Sequence, residues 1–404
     1  MRISTLQAFN NGVAGIQRNY ANATRTQEQI STGNRILTPA DDPVASVRLL
    51  QLEQQQNVLS QYNSNLTAAK NSLTQEEVTL NSVNTVLQRV RELAVQAGNG
   101  ALDPQDRKAI AAELGEREDE LLSLMNTRNA RGEYLFSGFQ GKTQPFVRGA
   151  DGSYSYEGDE GQRKLQVASS LNIPISDNGK SIFSSVTNAG RLQVASPIPS
   201  TLKVSTPLVS DEVTFADYKE VRINFSDPAT SFEVIGIKDD DSEVSLGTSA
   251  YDSEGEENKL VFGGTTLYVE GQANPGDEIV ITETAEQKRS VLDTIANLRK
   301  SLEDSATGNN GVRDAVAVAL TNLDHGMVSV DAARGNIGAR LNTIDTTLTD
   351  NEDVALVNKG VQAELRELDY AEALSRLSMQ TVVLEAAQQS YVKIAGLSLF
   401  NAMR

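Results

Sequence analysis

Few side chains in this chain are suited to making or breaking bonds. There is no cysteine and one histidine, His325. That rules out disulfides, thiolate nucleophiles, sulfur-ligated zinc and any metal motif that needs two histidines from one chain. His325 lies beside Asp324, between Leu323 and Met327. A Ser-His-Asp site would also need a serine on a strained turn such as G-x-S-x-G, and no such pentapeptide occurs. A structural histidine, at the surface or partly buried, is expected. Gly263-Gly264 lacks the Lys-Ser/Thr that completes a phosphate loop, so a β-turn explains it. The segment from Asp239 to Glu257 carries eight acids and no base. Asp239, Asp241 and Glu243 match positions one, three and five of a calcium loop. However, Val244 stands where that loop needs glycine, and Ala250 where it needs a bidentate glutamate. A solvated acidic loop is expected instead. No enzyme activity, cofactor or metal site is predicted.

Composition agrees with a non-catalytic role. Hydrophobic residues make up 39% of the 404, aromatics 5%, and there is no Trp. That is little material for several compact cores, but it suits long helices that each bury a narrow stripe. The net charge of -18 opposes binding to phosphate backbones, so nucleic acid is not an expected partner. Met1 to Tyr20 has neither an apolar run nor a cleavage site, and no stretch approaches the roughly 20 apolar residues that span a bilayer. Taken alone, these features place the chain in the cytoplasm, without membrane insertion.

The elements that would position any surface are dominated by heptads. Leu6, Phe9, Val13, Ile16, Tyr20, Ala23, Gln27 and Ile30 recur by threes and fours, and only Gln27 is polar. Near the other end, Leu377, Leu384 and Tyr391 step by seven, with Ala387 and Ile394 three behind two of them and Phe400 beyond. Two such helices can pack on each other. Asp42-Pro43 then opens a helix whose seam runs Leu59, Tyr62, Leu66, Ala69, Leu73, Glu76, Leu80, Val83, Leu87, Val90 and Ala94. Gly98-Asn99-Gly100 ends it. Asp103-Pro104 repeats the start signal for a helix carrying Ile110, Leu114, Leu121 and Leu124 to near Gly132. Later, Leu292 to Leu302 marks another helix. Val316, Leu320, Leu323, Met327, Val330, Arg334, Ile337, Leu341, Ile344 and Leu348 make a second long seam, open toward the C-terminal helix. Between the helical halves the period changes. Short alternating runs such as Tyr134-Leu135-Phe136, Ser153-Tyr154-Ser155-Tyr156, Val221 to Phe225, Phe232-Glu233-Val234, Leu260-Val261-Phe262, Leu267-Tyr268-Val269 and Ile279-Val280-Ile281 predict strands. Ala195 to Pro207, with three prolines, is expected to be a linker or sheet edge.

The predicted fold is mainly α with inserted β: a long antiparallel helical rod or coiled coil formed by the N- and C-terminal segments, with a central β-rich insertion. The expected domains are residues 1–42 plus 365–404 (terminal coiled coil), 43–140 plus 285–364 (helical rod), 141–187 (β-rich extension) and 188–284 (inserted small β domain).

Two stretches carry a family resemblance. Ile30-Ser31-Thr32-Gly33-Asn34-Arg35-Ile36 followed by Pro39-Ala40-Asp41-Asp42-Pro43 resembles the N-terminal signature of the flagellin superfamily of axial flagellar proteins. Ala386-Ala387-Gln388-Gln389-Ser390-Tyr391 and Gly396-Leu397-Ser398-Leu399-Phe400-Asn401 resemble its C-terminal one. The opening Met1-Arg2-Ile3-Ser4-Thr5 and Gly132-Glu133-Tyr134-Leu135-Phe136-Ser137-Gly138-Phe139 are more similar to the hook-associated branch than to filament flagellin. The resemblance covers roughly residues 1–185 and 285–404. It implies a structural subunit at the hook–filament junction, exported without a cleaved signal peptide and secreted into the bacterial flagellum, which revises the cytoplasmic placement. It also implies partners: copies of the chain in a ring, hook-associated protein 1, flagellin and a cytoplasmic export chaperone. Leu6, Phe9, Val13, Ile16, Tyr20, Ile30, Leu377, Leu384, Ala387, Tyr391, Ile394 and Phe400 are the expected assembly seam. The rival expectations are filament flagellin itself and an adhesin-like module carried by the β insert.

Overall fold

The computed structural model describes residues 2–195, 201–215, 218–226, 229–252, 257–304 and 306–402, with the side chains of 1–6, 8 and 394–404 outside the description. Seven helices appear among these residues: α1 (Arg2–Thr32), α2 (Pro43–Ala97), α3 (Pro104–Met125), α4 (Glu212–Phe215), α5 (Val291–Glu303), α6 (Asn309–Arg366) and α7 (Tyr370–Ala402). The chain forms two compact units, Met1–Ser64 with Thr346–Arg404, and Asn65–Asp345. The predicted mainly α fold with long end helices and a central β-rich region is present.

Helix boundaries follow local chemistry. Asp42 accepts the Ala45 amide at 2.9 Å ahead of Pro43, and Asp103 accepts those of Gln105 and Asp106 at 2.8 Å ahead of Pro104. α3 stops at Met125, short of the expected Gly132. The Asn126 amide takes over there, donating to the Phe146 carbonyl at 2.9 Å and accepting the Phe146 amide at 3.0 Å. Nor does α6 run on into the C-terminal helix: Glu367–Asp369 interrupts them, and Asp369 caps the next helix through the amides of Ala371 and Glu372.

In the larger unit, α2 and α6 are antiparallel. Lys70 pairs with Asp345 at 2.6 Å and Arg91 with Asp324 at 2.7 Å. Leu66, Ala69, Leu73, Leu80, Val83, Leu87, Val90 and Ala94 are all fully buried, as a 3–4 seam demands. Facing them on α6, Leu323, Val330, Ile337 and Ile344 are buried too. Each fully buried leucine contributes about 2 kcal/mol of apolar transfer.

Two glutamates interrupt this apolar matrix, with opposite electrostatics. Glu118 on α3 is wholly buried, and its carboxylate accepts from Arg299 at 2.9 Å, from the Tyr154 hydroxyl at 2.5 Å and from Arg148. It thereby joins α3, α5 and the hairpin of Phe146–Arg148 with Tyr154–Tyr156. Burial alone would raise its pKa, but the bonds from Arg299, Tyr154 and Arg148 outweigh it and hold the carboxyl below its usual range. Glu76, in the α2 seam, is equally buried. It accepts only the Asp177 amide, at 3.1 Å, among the bonds described. Burial first, and then the Asp177 charge, push its pKa well above the carboxylate range. Asp177 itself is satisfied by a two-pronged pair with Arg340 at 2.9 and 3.0 Å.

The insert is a two-sheet module. One sheet orders the strands Glu243–Ala250, Ser231–Ile237, Glu220–Phe225, Glu278–Glu283 and Leu192–Val194; the other orders Asn258–Phe262, Thr265–Gly271 and Leu202–Val204, with Leu208–Val209 also on Thr265–Gly271. All these pairings are antiparallel, and Val221, Ile223, Phe225, Leu260, Leu267, Val269, Ile279 and Ile281 share one core. Gly263 and Gly264, at φ +48° and +74°, form the two-residue hairpin turn expected of them. A side chain at Gly264 would meet the Asp211 carbonyl oxygen at 2.4 Å.

Two expectations are corrected here and a third is refined. Much of the acidic run is not a loop: Glu243–Ala250 is an edge strand on Ser231–Ile237, since Ser, Thr and Gly on an exposed edge need no apolar alternation. Residues 253–256 of that run lie outside the described residues. Ala195–Pro207, expected to be a linker or sheet edge, contains the edge strand Leu202–Val204, in keeping with the edge reading, with 196–200 outside the description. Tyr134-Leu135-Phe136 is a buried turn with one bridge, Arg128 to Tyr134, rather than a strand. The root of the insert rests on α6. Asn322 accepts the Ala189 amide at 2.6 Å and donates to Asn188 at 3.1 Å, while Arg313 stacks on Tyr268 at 3.7 Å. His325 is half-buried there, with Nδ1 3.0 Å from the Thr187 carbonyl oxygen, so that nitrogen carries the proton and donates.

The two glutamates should respond oppositely to neutralisation. Glu118→Gln strands Arg148 and Arg299. The expected loss is roughly 2–3 kcal/mol at neutral pH, below the full cost of a broken buried pair because Arg148 is partly solvated. With a lowered folded pKa, Glu118 contributes stability above its unfolded pKa and loses it as pH falls through the folded one, so the deficit of the variant shrinks in acid. Glu76→Gln keeps the acceptor for Asp177 and removes a charge that the folded state disfavours. Its gain appears as pH rises above the ordinary carboxylate range and vanishes in acid. Thermal melts of both variants from pH 4 to 8 check this; parallel curves would refute it.

Candidate assembly surface of the paired end helices

In the smaller unit, α1 and α7 run antiparallel. Phe9 and Tyr391 stack with centroids 5.1 Å apart, and Gly12 lies so close that a Cβ there would touch the Tyr391 ring at 3.3 Å. On α7 the covered positions are Ala373, Leu377, Gln380, Leu384, Ala387 and Tyr391, an unbroken alternation of four and three. On α1 they are Gly12 with Val13, Gly15 with Ile16, Asn19, Ala23, Thr26, and Gln29 with Ile30. Among the expected seam residues, Phe9 keeps 46% and Tyr20 64% of its surface exposed, and Gln27 is exposed. The side chains of Leu6, Ile394 and Phe400 lie outside the described residues. The displacement has a steric cause: Gly12, Asn19 and Thr26 are small enough to sit under the partner helix, which turns Tyr20 outward.

The residues between the helices form a clasp. Gly33, at φ +71°, ends α1 with its amide on the Gln29 carbonyl at 2.8 Å, the αL stop that glycine permits. The chain then pairs with the α6–α7 connection. The Arg35 amide donates to Arg366 at 2.8 Å, the Leu368 amide to Gly33 at 3.0 Å, and Asn34 bridges Glu367. Arg35 also reaches the Leu365 carbonyl at 3.0 Å, and Arg366 reaches the Asn34 side chain at 3.1 Å. Asp41 accepts the amides of Leu37 and Thr38 and the Thr38 hydroxyl, and pairs with Arg25 at 2.5 Å. The Thr38 bonds are the main reason its carboxyl sits below the usual range. The clasp thus uses Gly33, Asn34, Arg35 and Asp41 for backbone geometry.

Pattern reading missed the outer faces. Opposite its covered ladder, α7 exposes Leu374, Met379, Val382, Val383 and Val392. In the same unit the start of α2 exposes Val44, Val47, Leu50 and Val58, and the end of α6 exposes Val354, Leu356 and Val357. Their seam, by contrast, buries Asn351 and Asn358 and ties Asn351 to Asn63 at 3.0 Å. This stretch buries amides beside Ala45 and Leu59 while it turns valines and leucines outward, the pattern of a surface that a partner covers. A helical-wheel reading of residues 44–58 that looked beyond the seam would have found it. Among the described residues, no group of three His, Asp or Glu could hold a metal ion, and no helix is long and apolar enough to cross a membrane.

Residues 3–141 match the bacterial flagellin N-terminal helical region. Flagellar hook-associated protein 3 of Salmonella typhimurium is 26% identical over 408 residues, covering 100% of both chains, and that of Escherichia coli is 26% identical over 401 residues, covering 99% of each. The crystal structure of flagellar hook associated protein-3 from Legionella pneumophila superposes with a TM-score of 0.64 at 25% identity, covering 78% of this chain and 98% of that one. The N-terminal helices thus match the flagellin model, and the chain is similar from end to end to hook-associated proteins 3.

Proposed function

We propose that this chain is a structural subunit of the bacterial flagellum, forming the junction between hook-associated protein 1 and the flagellin filament. The observation that carries the proposal is the outward-facing apolar surface of the smaller unit. Leu374, Met379, Val382 and Val383 on α7, with Val47, Leu50, Leu356 and Val357 on α2 and α6, have no cover within one chain. Exposed apolar surface of this extent favours association. Copies of the chain in a ring, hook-associated protein 1 on one side and flagellin on the other are the partners that fit the family. A cytoplasmic chaperone that shields α7 before export fits the same surface. The covered ladder of Val13, Ile16, Ile30, Leu377, Leu384, Ala387 and Tyr391 serves assembly indirectly, by holding α1 and α7 together. The filament-flagellin alternative draws on similarity that also runs along nearly the whole chain, whereas the higher identity to hook-associated protein 3 and the fit to its solved structure favour the junction.

Two experiments separate these roles. Asp at Val382 or Leu356 places a charge on an already solvated position, so the melting curve of the monomer should move by no more than about 0.5 kcal/mol. Filament formation and motility in a strain lacking the protein should nevertheless be lost, because the same charge is desolvated at an interface. Full motility with either variant would show that these faces stay solvated. Immunogold labelling of isolated flagella should mark a single band at the hook–filament boundary; label along the whole filament would instead support the flagellin alternative.

A further inference from the structure

The connection between α2 and α3 carries chemistry that assembly does not use. Four asparagines in the chain precede a glycine: Asn11, Asn99, Asn178 and Asn310. In such a pair the glycine nitrogen can attack the asparagine side-chain carbonyl, because no Cβ shields it. Three of the four are held away from that reaction. Asn11 and Asn310 lie within α1 and α6, where helical backbone keeps the side-chain carbonyl carbon off the next amide nitrogen. Asn178 is pinned. Its Oδ1 accepts the Ser181 amide at 2.9 Å and its Nδ2 donates to the Glu160 carbonyl at 3.4 Å. The Gly179 amide is itself committed to the Phe136 carbonyl at 2.8 Å.

Asn99 differs on each count. Asn99 and Gly100 are exposed just beyond the end of α2, and the Gly100 amide has no acceptor among the described residues. Asn99 Oδ1 accepts the Ala101 amide at 3.1 Å. The ring closed by this side-chain turn contains both Asn99 Cγ and the Gly100 nitrogen, so it holds electrophile and nucleophile close together. The Ala101 N–H also points at the oxygen that becomes negative when the nitrogen adds, at the distance of an oxyanion donor. The backbone does not itself demand glycine here. Gly100 has no positive φ, and a Cβ on it would meet nothing within 4 Å.

We propose that Asn99 is a self-deamidation site of the folded chain. The Gly100 nitrogen gives its proton to hydroxide and bonds to Asn99 Cγ. The Cγ–Nδ2 bond then breaks, and the leaving nitrogen takes a proton from water and departs as ammonia. A second water opens the cyclic imide. Cleavage between Cγ and the Gly100 nitrogen leaves an ordinary aspartyl residue; cleavage of the main-chain bond leaves an isoaspartyl residue, with the chain rerouted through Cγ. Either product sets a carboxylate at the C-terminal end of α2, where the helix dipole opposes it. The isoaspartyl form also lengthens a turn that is held by the Leu102 amide on the Asn99 carbonyl at 3.2 Å and by Asn309 Nδ2 on the Gly100 carbonyl at 3.3 Å.

The full chain is incubated in water enriched in the heavy oxygen isotope, at neutral and mildly alkaline pH, and mapped by peptide mass spectrometry. Heavy oxygen should enter at Asn99 well ahead of Asn11, Asn178 and Asn310, and faster as hydroxide rises. In the guanidinium-unfolded chain the four pairs should convert at similar rates, so folding slows three of them and spares Asn99. Gly100→Ala should slow conversion several-fold without lowering the melting temperature, since the added Cβ has room and restricts the unfolded chain. Folding that slows Asn99 as much as the other three would overturn the proposal. So would a Gly100→Ala rate equal to that of the parent chain.

Discussion

The organising constraint is that a narrow apolar stripe on one long helix can be covered only by an equally long stripe from a distant part of the sequence. α2 and α6 meet this requirement in the larger unit, where Arg91 pairs with Asp324 and Lys70 with Asp345 across more than two hundred residues. Everything between them is free to fold as inserted modules, provided that its entry and exit return to the same place. The discontinuous units follow from that closure. So does the clasp of Gly33 and Arg35 against Arg366 and Leu368, which draws two connections together in the smaller unit.

Polar groups in this framework act according to how completely they are satisfied. Glu118, with three donors, is a joint between α3, α5 and a hairpin, and its charge is an asset. Glu76, with one described bond from a backbone amide, interrupts an apolar seam and is best tolerated neutral. A buried ion has to be surrounded before it stabilises. The same distinction separates Arg191 from Glu76. Arg191 is 7% exposed, pairs with Glu212 at 2.6 Å and Glu283 at 3.1 Å, and stacks over Phe215, so its desolvation is offset on every side.

Much of this was legible in the sequence where pattern and packing coincide. The α2 seam from Leu66 to Ala94 is buried as its 3–4 spacing requires, and the Asp-Pro pairs open helices. Legibility failed where small or polar residues do the packing. Gly12, Asn19 and Thr26 carry no hydrophobic signal, so the face of α1 was assigned to Tyr20 and Gln27 instead. Glu243–Ala250 escaped because an edge strand can satisfy its backbone on one side while its side chains remain in water. The outward valines of α2 and α6 were invisible for a different reason. A search for one seam per helix stops when it has found one, and these helices carry apolar residues on a second face.

The root of the insert has a consequence for how such chains can change. Arg191, one residue before the first strand, binds Glu283 at the end of the last, and Asn188 donates to the Glu286 carbonyl at 2.9 Å. Entry and exit are therefore stitched together by residues outside the sandwich core. Whatever lies between Leu192 and Glu283 meets the remainder of the chain through one collar and a short flank along α6 at Arg313. A cassette closed off in this way can lengthen, shorten or be exchanged while the helical scaffold keeps its own alignment. The same collar is a natural graft point for displaying a foreign domain on the subunit.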